Sequence, residues 1–334
     1  MSGLKKILSI DGGGIRGIIP GQIMVEIERE FNIKVSDYFD LIVGTSTGGI
    51  LTCAYLMPDA TDPTKPKYTA EEVVGLYFNK GDEIFNSTFF HKLRTAKGLL
   101  DEKYPDKGIK EALKKYFGNV WLRDLLKPTV ITSYDIENRK GHFFYQHKAS
   151  DPAYNFKIKD VCRATSAAPT YFECARVKPE KPMKPKAGYS LIDGGVFVNN
   201  PALVAYAEGR SIFTKSTGHE ATAEDMKILS IGTGQSAEGY PYRKAKDWGM
   251  VQWVKPLISI MMSGSAEVTD YELQKIYETV NNPNQYLRIN GDLNDTKIDP
   301  DMDNASKANM KKLKAFGTKL FEENKGRIEE WLGE

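Results

Sequence analysis

Apolar and polar positions along this chain alternate between two periods, marking short strands followed by helices. Ile7-Leu8-Ser9-Ile10 is an apolar run ending at glycines, the pattern of a buried strand. Ile19, Ile23, Ile27 and Phe31 then recur at helical spacing and predict a helix from Ile18 to about Phe31. Pro20 falls in its first turn, where a missing N–H costs nothing. Leu41-Ile42-Val43 reads as the next strand. Thr47 to Leu56 reads as a helix carrying Ile50, Leu51, Ala54 and Tyr55. Pro58 to Lys67 is a proline-rich loop, and Thr69-Ala70-Glu71-Glu72 is a capping box ahead of Val73, Val74, Tyr77 and Phe78. Asp106 is placed to cap a helix through Leu113 and Phe117, stopped by Gly118.

Thr129 to Tyr134 and His142 to Gln146 read as strands joined by the turn Asn138-Arg139-Lys140-Gly141. Tyr189 to Ile192 and Lys227 to Ile231 are further strands. Such alternation predicts an α/β fold, with a central sheet covered by helices on both faces. There is no internal repeat. The polar stretch Ala237 to Lys246 is a soft boundary, and the chain beyond it, about 247–334, reads as mainly helical.

Three glycine-rich segments carry candidate chemistry. Gly44-Thr45-Ser46-Thr47-Gly48-Gly49 joins a strand directly to a helix, which is the pattern of a nucleophile elbow. The turn would lift the Ser46 hydroxyl above the sheet, at a helix N-terminus that favours negative charge. A Gly/Ser-rich turn without chemistry is the plainer alternative. Asp11-Gly12-Gly13-Gly14-Ile15-Arg16-Gly17 lies between a strand and a helix, so its backbone N–H groups can form a nest for an anion. That anion is either a phosphate or the oxyanion of an acyl-transfer intermediate. Gly12, Gly14 and Gly17 also match a dinucleotide-binding loop, but the next strand ends in the elbow rather than in an acidic residue. Arg16 could meet a lipid phosphate, reinforce the oxyanion hole, or form a structural ion pair with Asp11 or Asp40.

Asp193-Gly194-Gly195 follows a strand, and an aspartate held there can approach another loop. A serine hydroxyl needs a neighbouring base. Asp-Gly is also common hairpin punctuation. Of the four histidines, His91, His142, His147 and His219, only His219 follows the aspartate as a Ser-Asp-His triad in the usual α/β order requires. It lies in a polar stretch. His142 and His147 flank a strand and read as surface or packing residues, so a dyad of Ser46 and Asp193 is the simpler arrangement.

These segments resemble the motifs of the patatin-like phospholipase family. Ile7 to Pro20 resembles its oxyanion-hole block, Asp37 to Gly49 its elbow, and Asp193-Gly194-Gly195 its Asp-Gly-Gly motif. Softer matches continue in Ala164 to Phe172 and in Ser230 to Gly234. The resemblance implies a three-layer fold with a mostly parallel sheet, in a single catalytic domain spanning 1–334 with its motif-bearing core at about 4–234. It implies a catalytic dyad of Ser46 and Asp193 and an oxyanion hole from Gly12, Gly13 and Gly14. Arg16, Gly17, Gly44, Gly48, Gly194 and Gly195 are the supporting motif residues. The implied activity is hydrolysis of ester-linked fatty acids from membrane glycerolipids, without metal or other cofactor. Some bacterial relatives of this family resemble effectors that a cyclic nucleotide switches on to degrade the cell's own membrane during phage infection. That regulation is an alternative role here, although no nucleotide pocket is recognisable in the sequence.

Composition agrees with such an enzyme. Lys and Arg number 46 against 44 Asp and Glu, so no nucleic-acid partner is expected. Cys53, Cys162 and Cys174 show no disulfide or metal pattern, which points to a reducing compartment. The first strand begins almost at Met1, and no apolar run is long enough to span a bilayer. The expectation is a cytoplasmic protein that docks reversibly on membranes, with its oligomeric state left open. The Lys178 to Lys186 tract reads as a solvated loop, with anionic headgroups as the alternative partner. Ile84 to Phe90 and Trp248 to Met262 could receive lipid tails, although core packing is the plainer reading of both. Pro256 is expected to kink or split the second of these.

Overall fold

The computed structural model describes residues 3–79, 107–182, 188–235, 239–294 and 296–333. Ile84 to Phe90, Asp106, His91 and part of the Lys178 to Lys186 tract lie outside these residues.

A strand whose consecutive residues are all apolar can be buried on both faces. The five parallel strands here carry short apolar runs of that kind, broken by residues such as Ser9, Ser133, Lys227 and Arg288. They are β1 (Lys5–Ile10), β2 (Leu41–Thr45), β3 (Thr129–Asp135), β7 (Met226–Ile231) and β8 (Tyr286–Ile289). They run parallel in the order β3-β2-β1-β7-β8. The antiparallel part comprises β4 (Lys140–Tyr145) and β6 (Tyr189–Asp193), both paired with β3, and β5 (Ala175–Val177), paired with β6. Ile7, Leu41, Val43, Val130 and Ile228 enter one core, and their neighbours Leu8, Ile42, Ile131 and Leu229 enter another on the opposite face.

The larger core is covered by α1 (Ile18–Phe31), α2 (Thr47–Tyr55), α3 (Ala70–Asn79), α4 (Lys107–Phe117), α5 (Ile158–Thr165) and α8 (Lys307–Gly333). The smaller one is covered by α6 (Ala202–Thr217) and the C-terminal half of α7 (Met250–Thr279). This is the sheet covered by helices on both faces that the alternation predicts, in the three-layer, mostly parallel form that the resemblance implies.

Local chemistry matches the sequence reading closely. The Glu72 carboxylate accepts from the Thr69 N–H at 2.9 Å, and the Thr69 hydroxyl accepts from the Glu72 N–H at 3.2 Å, closing the capping box of α3. Gly118 ends α4 with φ +55°, a left-handed conformation that suits glycine. Two expectations are corrected. Pro256 does not split its helix, because α7 runs unbroken from Met250 to Thr279; only one i→i−4 bond is forfeited near its start. The segment Trp248 to Met262 is not core. No described side chain from Met250 to Val268 is buried, whereas Thr269, Leu273 and Tyr277 are. The strand β8, inside the portion read as mainly helical, extends the sheet by one parallel edge strand.

Among the described residues, no helix is long and apolar enough to cross a membrane.

Candidate active site

Open parallel sheets gather their chemistry at the C-terminal ends of the strands. Here β1 ends at Asp11 and the glycine run, and β2 ends at Ser46. Ser46 has φ 54° and ψ −121°, a strained conformation for a residue with a side chain. The turn closes because two glycines face each other. A Cβ on Gly44 would stand 2.4 Å from the Gly48 carbonyl oxygen, and one on Gly48 would stand 2.2 Å from that of Ile10. Any side chain at either place would push the elbow off the sheet.

Asp193 ends β6, where its register partner on β3 is Ser133. The Ser46 hydroxyl donates to Asp193 Oδ2 at 2.6 Å, across 147 residues of sequence. The other carboxylate oxygen, Oδ1, accepts from the Gly195 N–H at 2.7 Å. Gly194 fits tightly on β3, where a Cβ would lie 2.1 Å from the Thr132 hydroxyl. Burial pushes the Asp193 carboxyl up to about 6, against the opposing hydrogen bonds from Ser46 and Gly195. A carboxyl in that range is suited to taking and returning a proton near neutral pH.

Three threonines, not singled out by the sequence reading, hold the elbow. The Ser46 N–H donates to Thr165 Oγ1 at 2.8 Å, and the Thr165 hydroxyl donates to the Thr132 carbonyl at 2.7 Å. Thr45 Oγ1 and Thr132 Oγ1 lie 2.8 Å apart, and the Thr45 hydroxyl also approaches the Val198 carbonyl at 2.9 Å. Thr45 lies within the elbow motif and Thr165 within the softer match at Ala164 to Phe172, while Thr132 carries no motif signal.

The glycine nest stands beside the elbow. A Cβ on Gly12 would be 3.2 Å from Ser46 Cβ, and one on Gly17 would be 2.3 Å from the Thr47 hydroxyl. The Gly12 N–H is engaged, donating to the Asn199 carbonyl at 3.1 Å. Gly12 is therefore not a free donor, contrary to the expectation that all three glycines serve alike. The N–H groups of Gly13 and Gly14 are the ones the described hydrogen bonds leave available. Gly14 has φ +59°, and a Cβ there would meet the Met302 carbonyl at 2.3 Å.

Arg16 forms neither expected ion pair. Asp11 is held by Arg288, whose Nη1 and Nη2 donate to its two oxygens at 2.8 and 2.5 Å. Asp40 accepts from the Lys6 N–H at 2.8 Å. The Arg16 Nε is buried without a hydrogen-bond partner among the described residues, and burial lowers its guanidinium to about 10. The described histidines lie in other settings. His142 packs among Phe144, Phe156 and Tyr189, His147 meets Glu208 at 3.3 Å, and His219 meets Asp225 at 2.9 Å.

Two cavities adjoin one another, and one of them contains the dyad. A narrow apolar slot includes Ser46 and Asp193 with Ile50, Phe172, Val196, Ile258 and Met262 in its walls. Beside it lies a polar chamber of about 900 Å³, whose walls include Asp11, Arg16, Asn199, Asp270, Arg288 and Asp301. Tyr171, Ile258, Met262 and Met302 line both.

Comparison with known proteins identifies the family. The family model "Patatin-like phospholipase" matches residues 8–206, from β1 through the start of α6. "Patatin-like protein 1" of Arabidopsis thaliana is 31% identical over 340 aligned positions, covering 95% of this chain and 81% of that protein. "Probable inactive patatin-3-Kuras 1" of Solanum tuberosum is 30% identical, covering 95% of this chain and 86% of that protein. Among solved structures, VipD from Legionella pneumophila gives a TM-score of 0.44 at 12% identity, over 96% of this chain and 67% of that one. At that level the structural likeness carries no argument. On the extent of the family match and of the relatives' coverage, this chain belongs to the patatin-like phospholipase family.

Proposed function

We propose that this protein hydrolyses ester-linked fatty acids from membrane glycerolipids with a Ser46–Asp193 dyad. The observation that carries the reading is the 2.6 Å hydrogen bond from a serine on a strained elbow to a buried carboxylate of raised pKa. Family membership alone would not suffice, since one similar protein is named as inactive.

Asp193 takes the hydroxyl proton as Ser46 Oγ attacks the ester carbonyl. The carbonyl oxygen becomes an oxyanion, and the Gly13 and Gly14 N–H groups are placed to hold it. Losing one such donor typically costs about a hundredfold in rate. The tetrahedral adduct collapses, the alcohol leaves with the proton from Asp193, and the acyl group stays on Ser46. Water then attacks the acyl-enzyme, giving its proton to Asp193, which returns it to Ser46 Oγ as the fatty acid departs. Imidazole is not required, because the carboxylate contacts the nucleophile directly. The slot suits the acyl chain and the polar chamber the headgroup, with Arg16 facing a lipid phosphate.

The test is release of fatty acid from phospholipid by the parent and by Ser46→Ala. The reading predicts release by the parent and a loss of about a millionfold in the folded variant. Parent-like release by Ser46→Ala would refute it.

A further inference from the structure

Among the described residues, one face of the first half of α7 is apolar and exposed, and its chemistry identifies a partner. Met250, Trp253, Val254, Leu257, Ile260 and Met261 recur at helical spacing and are 87, 40, 42, 49, 42 and 45% exposed. The buried residues that anchor this helix, Thr269, Leu273 and Tyr277, all lie in its second half. A contiguous apolar surface of this kind on a water-facing helix marks an interaction site.

Charge and aromatic content narrow the partner. From Tyr240 to Met262 the chain carries Arg243, Lys244, Lys246 and Lys255 against Asp247 alone, a net charge of +3. From Ser263 to Thr279 the sign reverses, with Glu267, Asp270, Glu272 and Glu278 against Lys275. Tyr240, Trp248 and Trp253 form an edge-on cluster with ring centroids 5.1 and 5.0 Å apart, and Tyr242 beside it is 79% exposed. Basic side chains around an apolar face with tryptophan and tyrosine at its rim fit an anionic lipid–water interface.

The same helix turns reach the dyad. Ile258 and Met262 immediately follow Leu257 and Met261 and line the apolar slot with Ser46 and Asp193. One stripe of α7 therefore faces outward while the adjacent stripe walls the slot.

We propose that residues 240–262 are the membrane-docking element of this protein, and that it seats the slot against the surface of an anionic bilayer. The proposal rests on the lipid-hydrolase reading and adds the surface through which substrate arrives. With the helix lying in the interface, an acyl chain passes from the bilayer into the slot along Ile258 and Met262 without crossing water. Arg243, Lys244 and Lys246 supply the attraction to anionic headgroups, and the apolar stripe supplies insertion.

Flotation with ether-linked vesicles tests docking apart from catalysis, because the lipids contain no ester to cleave. The parent is expected to float with vesicles of ether-linked phosphatidylglycerol and phosphatidylcholine, to float poorly with phosphatidylcholine alone, and to release as salt is raised. Val254→Glu/Leu257→Glu and Arg243→Glu should each lower partitioning by about tenfold or more. In parallel, the variants should hydrolyse ester-linked anionic vesicles correspondingly more slowly. They should cleave a dissolved short-chain p-nitrophenyl ester within about twofold of the parent, since none of these three side chains lines the slot or the chamber beside it.

Unchanged flotation of the double variant would overturn the proposal. So would parent flotation that ignores lipid charge, or a parent dimer that the double variant splits while vesicle binding persists. Absence of all ester hydrolysis would instead count against the proposed function, with the flotation result standing by itself.

Discussion

Replacing Asp193 by asparagine should abolish turnover and, above pH 6, make the protein more stable. The carboxyl is 5% exposed, and burial raises it from an ordinary 3.8 to about 6 despite two hydrogen bonds that favour the ionised form. The folded state thus binds this proton more tightly than the unfolded state does. The cost of keeping the group ionised begins as pH passes 3.8 and is complete above about 6. At 1.36 kcal/mol per pH unit, that interval corresponds to about 3 kcal/mol. Asparagine has the same shape. Its oxygen can accept from the Gly195 N–H and its amide can donate to Ser46 Oγ, so it keeps both contacts without the charge. Urea unfolding of parent and variant at pH 8 and pH 4 measures the effect. The variant should gain up to about 3 kcal/mol at pH 8 and almost nothing at pH 4, with ester hydrolysis lost at both. A variant less stable than the parent at pH 8, or a difference independent of pH, would refute the reasoning.

The other expectations can be checked with the same preparations. Parent kcat/KM should fall about tenfold per pH unit below about 6 and level off above it, because Asp193 must be ionised to act; a profile flat from pH 4 to 8 would remove it as the base. Replacing His91, His142, His147 or His219 one at a time with glutamine should leave turnover within about tenfold, whereas loss of several orders of magnitude in a folded variant would reveal a triad. Arg288→Met strands the buried Asp11 carboxylate under the glycine nest and should cost about 3–5 kcal/mol at pH 8, with part recovered at low pH where Asp11 is protonated; equal loss at both pH values would contradict the ion-pair account.

What the sequence made legible, and what it did not, follows from how local each feature is. The elbow could be read because Gly44 must approach the Gly48 backbone within a few residues, although Gly48 itself is demanded by the Ile10 carbonyl on β1. Asp193 could be read across 147 residues because its own glycines mark a strand end that must pack tightly. The threonine network could not, since Thr132 and Thr165 lie on an ordinary strand and helix, and only the fold brings their hydroxyls to Ser46. The engagement of the Gly12 N–H by the Asn199 carbonyl is likewise tertiary, and it separates one glycine from two neighbours that look identical in sequence. Arg288 sits in a strand of only four residues, between Asn282-Pro283 and Asn290-Gly291, which is too short to show a period of its own, so neither β8 nor its pair with Asp11 was visible. The stripe on α7 has the same period whether it faces core or solvent, and composition alone favoured the core.

The most direct test of the dyad is reaction of the parent with a fluorophosphonate, followed by peptide mass spectrometry. The account predicts one adduct, on Ser46, that disappears in Ser46→Ala and forms far more slowly in Asp193→Asn. An adduct on any other residue, or a parent that cleaves phospholipid yet leaves Ser46 unlabelled, would contradict it.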